Sequence, residues 1–212
     1  MVTAGEVRRL LTPFGVSPGD GELDNIMVYL ELLLRWNERI NLTAVRRPED
    51  CVRRHFGESM FLGRWMELKG RLLDVGSGAG FPGLALKLVA EDLAVLLLEP
   101  VAKKRSFLKE VVRCCSLRGV EVRSERLDQF GRSAGSARFD MVTVRAVGGL
   151  SDLIPIARRC LAPAGKLCLW IGREQCSALV HESVPLVWSE PIPIPLSESR
   201  VLLIGERIAN DV

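Results

Sequence analysis

Residues 72–83 decide the fold of this chain, and they read Leu-Leu-Asp-Val-Gly-Ser-Gly-Ala-Gly-Phe-Pro-Gly. A short apolar run ends in an acid, Asp74, and glycines follow at every second position, at Gly76, Gly78 and Gly80. Glycine is favoured where the backbone takes positive φ, or where a ligand must approach with no side chain between. The stretch therefore predicts a buried strand, a ligand-binding loop and a helix, and a glycine-rich turn without a ligand is the alternative.

The spacing of these glycines indicates which ligand the loop takes. Dinucleotide enzymes use Gly-x-Gly-x-x-Gly, whereas here the third glycine comes one residue early and Phe81 occupies the last position. No Gly-Lys-Ser/Thr follows, so a triphosphate is not indicated. An acid two residues before such a loop resembles the opening motif of S-adenosylmethionine-dependent methyltransferases, in which the acid can meet the cationic methionine end of the cofactor.

The composition predicts one main globular domain with an appendage. The chain has 212 residues, of which 48% are hydrophobic and 26% charged, which is ordinary for a soluble protein. The first eleven residues carry charges and no apolar core, so no signal peptide is predicted. The longest apolar run, 93–98, is too short to span a membrane. We expect a cytoplasmic monomer with no membrane contact and no evident protein partner.

The cysteines and histidines do not predict a metal site. Six cysteines include no Cys-x-x-Cys pair, and the only histidines are His55 and His181. Free thiols in a reducing compartment are the better interpretation.

Hydrophobic periodicity divides the chain at about residue 70. Apolar residues recur at helical spacing between Leu23 and Leu34, which predicts a helix with Asp20 as its cap that ends at Asn41. A second helical region is predicted to begin near Pro48. From Arg71 onward strands alternate with helices, which is typical of a parallel sheet covered on both faces. The predicted strands are 72–75, 94–98, 120–123, 139–144 and 166–171, and the predicted helices are 83–90, 102–117 and about 150–161.

The tail of the chain departs from this alternation. Residues 184–188 and 200–204 are β-like and no helix lies between them, which predicts a hairpin with one antiparallel strand at the end of the sheet. The predicted fold class is α/β, Rossmann-like, with a mostly parallel sheet. Residues 1–69 are predicted to form a helical extension packed on a core of residues 70–212.

Polar residues at the predicted strand ends form the candidate site, because ligands of open parallel sheets bind beyond the carboxyl ends of the strands. Glu99 could accept hydrogen bonds from both ribose hydroxyls of an adenosine, or be a surface acid. Asp128 could recognise an adenine edge, or cap a helix. Arg145 should point into the cleft, since an unpaired guanidinium is costly to bury. We expect it to pair with the cofactor's carboxylate, to donate to the substrate, or to tether a loop.

Two segments are rich in basic residues. Residues 101–126 hold eight Lys or Arg against three acids, and residues 35–54 hold six Arg against three acids. Such clusters suit a phosphate backbone, although each alone is also compatible with a solvated helix face. Together with a methyltransferase loop they favour a nucleic-acid substrate.

Several of these motifs together resemble one family, the glucose-inhibited division protein B family. The resemblance covers residues 23–172 in order and spacing, and its motifs are Asn41-Leu42-Thr43, Arg54-His55, the stretch 74–83, Lys103-Lys104-Arg105 with Phe107-Leu108, and Val144-Arg145-Ala146. The resemblance implies a class I methyltransferase that moves a methyl group from S-adenosylmethionine to N7 of a guanine in 16S ribosomal RNA, leaving S-adenosylhomocysteine. The implied partner is this RNA or the small ribosomal subunit.

The resemblance also assigns roles to residues. Its cofactor contacts fall on Gly76, Phe81, Leu127, Asp128 and Arg145, to which the loop pattern adds Asp74, Gly78, Gly80 and Glu99. Substrate contacts are expected at Asn41, Arg54, His55, Lys103 and Arg105, and Arg145 is the expected catalytic residue. Two departures are Glu99-Pro100 where Asp-Ser is common, and Glu58 where Asp is common.

Two other functions remain open from the residues alone. A small-molecule methyltransferase would share the cofactor loop, but it predicts a neutral lid instead of basic flanks. A non-catalytic RNA-binding module would have no need of an intact glycine loop with acids at Asp74 and Glu99.

Overall fold

The fold is a twisted, mostly parallel sheet. The computed structural model describes residues 2–133, 138–180 and 185–208. Within these residues the sheet follows the order β3-β2-β1-β4-β5-β8-β6, and β7 also pairs with β8. The strands are β1 Arg71–Val75, β2 Ala94–Leu98, β3 Val120–Arg123, β4 Phe139–Arg145, β5 Leu161–Gly172, β6 Leu186–Trp188, β7 Ile192–Pro193 and β8 Arg200–Arg207. The predicted α/β class is confirmed.

The strand order creates a crevice beside β1. The chain runs outward from β1 to β2 and β3 on one side, and then returns to β4 and β5 on the other, all in parallel pairing. The connections after β1 and β4 therefore leave the sheet in opposite directions, and a gap opens between them. Asp74 in β1 lies opposite Leu97 of β2 and Thr143 of β4, so the predicted acid stands at this switch point.

The tail contributes more strands than the sequence predicted. Strand β8 pairs antiparallel with β5 and extends to Arg207, and both β6 and β7 pair with β8. The short β7 contains Pro193, which suits an outer strand because proline has no N–H to donate to a neighbour. The predicted hairpin corresponds to β6 and β8, and β7 is an additional strand that was not predicted. Residue 184, where the first tail strand was predicted to begin, lies outside the described residues.

The helices begin close to where the sequence places them. They are α1 Ala4–Leu11, α2 Asp20–Ile40, α3 Pro48–Cys51, α4 Glu58–Met60, α5 Gly83–Leu88, α6 Ala102–Cys114, α7 Leu127–Ser133, α8 Leu150–Cys160 and α9 Arg173–Val180, with a π-helical turn Val52–Gly57 joining α3 and α4. Asp20 is the first residue of α2 and Gly19 is its cap, which corrects the predicted cap by one residue. No helix in these described stretches is both long and apolar enough to cross a membrane.

The sheet carries a hydrophobic cluster on each face. One cluster joins β-strand residues such as Leu72, Leu97 and Met141 to the helices before residue 70 and to α5 and α6. The other joins Leu73 and Val142 to residues of α7, α8 and α9. The predicted boundary near residue 70 lies between the last N-terminal helical turn and β1, but the helices before it share one core with the sheet.

The helical extension is fixed to the sheet by Glu58, which is 2% exposed. Its carboxylate pairs with Arg145 at the end of β4, at 3.0 Å, and with Arg200 at the start of β8, at 2.6 Å. Its main-chain carbonyl accepts a 2.7 Å hydrogen bond from the indole of Trp170 in β5. Glu58 thereby joins the extension to three neighbouring strands, β4, β5 and β8, at the carboxyl ends of the parallel strands.

We expect Glu58→Ala to lower the free energy of unfolding by about 3 kcal/mol, because it leaves the buried Arg145 guanidinium without its counter-ion. Equilibrium urea unfolding measures the change. Glu67→Ala is the control, since Glu67 pairs with Lys69 at 2.7 Å but 71% of its side chain is exposed, and its effect should stay within about 0.5 kcal/mol. Equal losses in the two variants would contradict this role for Glu58.

Candidate cofactor and substrate site

The glycine loop after β1 takes the backbone shape that its sequence predicts. Gly76, Gly78 and Gly80 have φ of 67°, 57° and 87°, which are left-handed values that side chains disfavour. The three differ in what surrounds them. A Cβ at Gly80 would collide with Tyr29 and stand 2.8 Å from Leu84, whereas a Cβ at Gly78 would meet nothing nearer than 3.7 Å. Gly78 therefore borders open space in which a ligand can lie.

Asp74 lies behind this loop and not in the open cleft. The residue is fully buried, and its carboxylate accepts hydrogen bonds from the Thr143 hydroxyl at 2.8 Å and from the Gly83 N–H at 3.3 Å. Burial raises the pKa of Asp74 to about 6. A Cβ at Gly83 would stand 2.9 Å from that of Asp74, so the glycine permits this close approach. The carboxylate therefore holds the start of α5 against β1 and β4, and a contact between Asp74 and the cofactor stays a prediction.

Glu99 closes the other side of the loop. Its carboxylate is 3% exposed and accepts hydrogen bonds from the Gly78 N–H at 2.9 Å and from the Val101 N–H at 2.8 Å. A carboxylate has about four acceptor positions, and these two bonds use two of them. The alternative of an exposed surface acid is excluded by this burial.

A cavity of about 410 Å³ opens where these elements meet. Its walls come from the ends of β1 and β2, from the start of α7 and from the connection after β4; they include Gly76, Leu98, Pro100, Leu127, Asp128 and Val147. The size lies within the range of ligand pockets, roughly 300–1,000 Å³, and mostly apolar walls with a few polar groups are typical of them. Of the predicted cofactor residues, Gly76, Leu127 and Asp128 line this cavity.

Phe81 belongs to an aromatic cluster under the loop. Its ring stacks with His55 at a centroid distance of 4.9 Å and with Tyr29 at 5.1 Å, while Phe56 meets it edge-on at 5.0 Å. The Tyr29 hydroxyl donates to the carbonyl of Ala79 in the loop itself. Phe81 is 8% exposed, and its ring contacts join the loop to the extension. A contact between Phe81 and the cofactor stays a prediction.

His55 is held between the loop and the extension. Its Nε2 lies 2.8 Å from the Thr43 hydroxyl, and Thr43 is in turn bound through its main chain by both ends of the Asn37 amide, at 2.9 Å each. Burial, together with the positive charges of Arg145 and Arg54, lowers the pKa of His55 to about 3. The ring is therefore neutral near pH 7. Asn41, the neighbouring predicted substrate residue, ends α2 with φ of 45° and is exposed.

Arg145 points at the extension. Its guanidinium donates to the Ser59 hydroxyl at 3.0 Å, to Glu58 at 3.0 Å, and to the main-chain carbonyls of Arg54 and His55. Of the three roles that the sequence left open, these contacts are those of a tether. They hold residues 54–59, which carry His55 against Phe81.

The remaining predicted substrate residues divide into exposed and engaged ones. Lys103 and Arg54 are exposed. Arg105 is half-buried and donates to the carbonyls of Glu99 and Pro100, at 3.0 Å and 2.6 Å, so it braces the turn between β2 and α6. A contact between Arg105 and the substrate stays a prediction.

Several residues of the site went unnoticed in the sequence. Tyr29 sits inside an apolar helical stripe and Thr143 inside an apolar strand, so each looked like core. Glu58 was noted only as a variation within a motif. One chemical signal could have indicated two of them. A buried hydroxyl such as that of Thr143 and a buried acid such as Glu58 both need hydrogen-bonding or charged partners.

The comparison with known sequences points to one family. The family model described as rRNA small subunit methyltransferase G (GidB) matches residues 22–184. A relative from Chloroflexus aggregans, named ribosomal RNA small subunit methyltransferase G, is 36% identical over 97% of this chain and 92% of its own length. One of the same name from Syntrophotalea carbinolica is 37% identical over 95% of this chain and 96% of its own.

Solved structures share the fold at low sequence identity. A putative O-methyltransferase from Klebsiella pneumoniae superposes with a TM-score of 0.63 at 17% identity, covering 92% of this chain and 93% of that one. A ribosomal protein L11 methylase from Lactobacillus delbrueckii subsp. bulgaricus gives a TM-score of 0.60 at 18% identity, covering 73% and 79%. The fold is that of class I methyltransferases, as expected.

The half-buried His55 makes a prediction about the pH dependence of stability. Its pKa is about 3 when folded and about 6.5 when unfolded, so only the unfolded chain binds this proton between those values. Stability contributed by the neutral ring is thus complete above about pH 6.5 and is lost as the pH falls. Between pH 7 and pH 5 we expect the wild type to lose about 2 kcal/mol more than His55→Gln. Urea unfolding at both pH values measures this; parallel losses in the two proteins would refute it.

Proposed function

The chain belongs to the rRNA small subunit methyltransferase G family, and from this we propose that it transfers a methyl group from S-adenosylmethionine to N7 of a guanine in 16S ribosomal RNA. The observation that carries the proposal is the positive-φ loop 76–80 beside a cavity of about 410 Å³ at the carboxyl ends of the parallel strands. Both features support the binding of a methyl donor at the switch point of the sheet.

The residues around this cavity suit the cofactor. Leu98, Pro100 and Leu127 offer apolar walls to an adenine ring, and Asp128 offers an acceptor to its amino group. The open acceptor positions of Glu99 suit ribose hydroxyls, and the free space at Gly78 suits the methionine moiety. When bound, S-adenosylmethionine supplies an electrophilic methyl group on a sulfonium.

The chemistry at guanine N7 needs no base. This nitrogen carries a lone pair in the ring plane and no proton, so the protein has only to align it with the methyl group and exclude other geometries. His55, with a pKa of about 3, is suited to support the loop and not to accept protons. Arg145 acts in this proposal as a positioning residue, because its hydrogen bonds hold residues 54–59 under the glycine loop.

The RNA substrate is proposed to lie across the exposed basic residues at the same edge. Lys103, at the start of α6, and Arg54 are both exposed and close in sequence to groups that shape the loop. Positive side chains at the rim attract phosphates without reading sequence. A target base held in secondary structure must be turned out before its N7 can be reached. We propose a cytoplasmic location, where this RNA is assembled into subunits.

The direct test is methyl transfer from labelled S-adenosylmethionine to small subunits and to naked 16S RNA that lack the modification, followed by mass-spectrometric mapping. One N7-methylguanine in 16S RNA is the expected product. Cofactor binding by calorimetry without transfer to either RNA substrate would favour a small-molecule methyltransferase. Absence of cofactor binding would favour a non-catalytic RNA-binding module.

The proposed cofactor site predicts the effect of a branched side chain at one glycine of the loop. Gly78→Val should abolish detectable S-adenosylmethionine binding in calorimetry, because its side chain enters the open space beside the cavity. Gly119→Val is the matched control. Gly119 also has positive φ, 69°, and open surroundings. It precedes β3 and therefore lies at the amino ends of the parallel strands, away from the cavity. Both variants should lose about 1–2 kcal/mol of stability from the strained backbone, and only the first should lose the cofactor. Retained binding in folded Gly78→Val would refute the assignment.

The basic rim predicts a change in salt dependence. Lys103→Ala should reduce the slope of log affinity for 16S RNA against log salt concentration by about 0.7–0.9, the contribution of one phosphate contact. The affinity for S-adenosylmethionine should stay the same. Lys69→Ala serves as control. Lys69 is also exposed, but it precedes β1 and so lies at the amino ends of the strands, away from the proposed site. An unchanged slope in Lys103→Ala, measured by filter binding, would show that this residue lies off the RNA path.

A further inference from the structure

A second, smaller cavity lies next to the first one, on the side of β4 and β5. Its volume is about 210 Å³, and its lining includes Val144, Ala146, Leu150, Trp170, Ile171 and Gln175. Val147 and Gly148 line both cavities. The two spaces therefore adjoin at the short connection that follows β4.

The size and lining of the smaller cavity suit one ring system. Its volume is below the roughly 300–1,000 Å³ of pockets that enclose a whole ligand. Its walls include the apolar side chains of Val144, Leu150 and Ile171, and the indole of Trp170 is fixed in place by its hydrogen bond to Glu58. A nucleobase can be accommodated there, while its sugar and phosphates stay outside.

Gln175 is an exposed residue at the wall of this cavity, and one hydrogen bond orients its side-chain amide. Its Oε1 accepts a 2.9 Å hydrogen bond from the Gly172 N–H. Because a main-chain N–H needs an acceptor, the oxygen must face Gly172 and the NH2 group must face away. Within the described part of the chain no acceptor binds this NH2 group. The cavity is thus offered a donor and not an acceptor.

Building on the proposed function, we propose that the smaller cavity takes the target guanine and that Gln175 determines its specificity by donating a hydrogen bond to guanine O6. On guanine, O6 and N7 are neighbouring acceptors of one edge, whereas adenine presents an amino donor beside its N7. A guanine whose N7 faces the donor cavity necessarily turns O6 to the same edge. The amide NH2 group of Gln175 can donate to guanine O6. It disfavours adenine, because the NH2 group would then face the adenine amino group and two donors would oppose each other.

The test uses two variants of Gln175 and one matched control. Gln175→Glu keeps an oxygen for the Gly172 N–H but replaces the donor by an acceptor, and Gln175→Leu removes both. The control is Gln129→Leu, because Gln129 also accepts a hydrogen bond from the main chain at the start of a helix, from Arg126 N–H at 3.1 Å, and lines neither of these two cavities. Thermal unfolding and calorimetry with S-adenosylmethionine verify that each variant is folded and binds the donor.

The substrates are 16S RNAs that carry guanine, inosine or 2-aminopurine at the mapped position. Inosine keeps O6, and 2-aminopurine lacks it but keeps N7. Wild-type kcat/KM should be similar for guanine and inosine and about two- to tenfold lower for 2-aminopurine, the range expected for one neutral hydrogen bond. Both Gln175 variants should lose this preference and lower kcat/KM for guanine by a similar factor, with unchanged cofactor affinity. Gln129→Leu should keep the preference.

Two results would overturn the assignment of Gln175. One is wild-type kcat/KM for guanine in both Gln175 variants, and the other is an equal loss for guanine and 2-aminopurine. Failure of the proposed function itself is recognised separately, because the wild type would then methylate none of the three RNAs, and the inference would fall with it.

Discussion

The structure depends on one buried carboxylate, that of Glu58, which stands between the guanidinium groups of Arg145 and Arg200. Burying such charges is costly unless each finds partners, and removing one partner leaves the others uncompensated. Two further hydrogen bonds hold the same place in the chain: the Ser59 hydroxyl accepts one from Arg145, and the main-chain carbonyl of Glu58 accepts one from Trp170. The helical extension is therefore fixed at one register on the sheet, at the edge where the connecting loops form the site.

The position of the extension then determines that of the glycine loop. Residues 54–59 carry His55 and Phe56, whose rings pack against Phe81, and Tyr29 from α2 completes the cluster and binds Ala79. From the other side, Asp74 and Glu99 hold the loop through main-chain N–H groups. Polar and aromatic groups of four separate segments thus converge on residues 76–83, and this explains why so irregular a backbone keeps one shape.

The sequence predicted the architecture well because period and turn chemistry are local properties. The strands at 94–98 and 120–123, and the starts of the helices at Pro48, Gly83 and Ala102, agree with the structure. The direction of side chains was less predictable. Asp74, Phe81 and Arg145 all lie near the expected place, yet each turns to a protein partner that is distant in the chain. Spacing in the sequence shows that an acid ends a strand, but not which hydroxyl or N–H will meet it.

Methyl transfer to a ring nitrogen without a proton gives these inward-turned side chains a reason. Because no group has to donate or accept a proton, the rate depends on how narrowly the two reactants are aligned. A shift of the glycine loop would change the donor cavity and its neighbour together. Val147 lines both cavities, and it lies so near the loop that a Cβ at Gly76 would stand 2.9 Å from it. Charged and aromatic residues that hold backbone in place are thus as much a part of the proposed chemistry as those that touch a ligand.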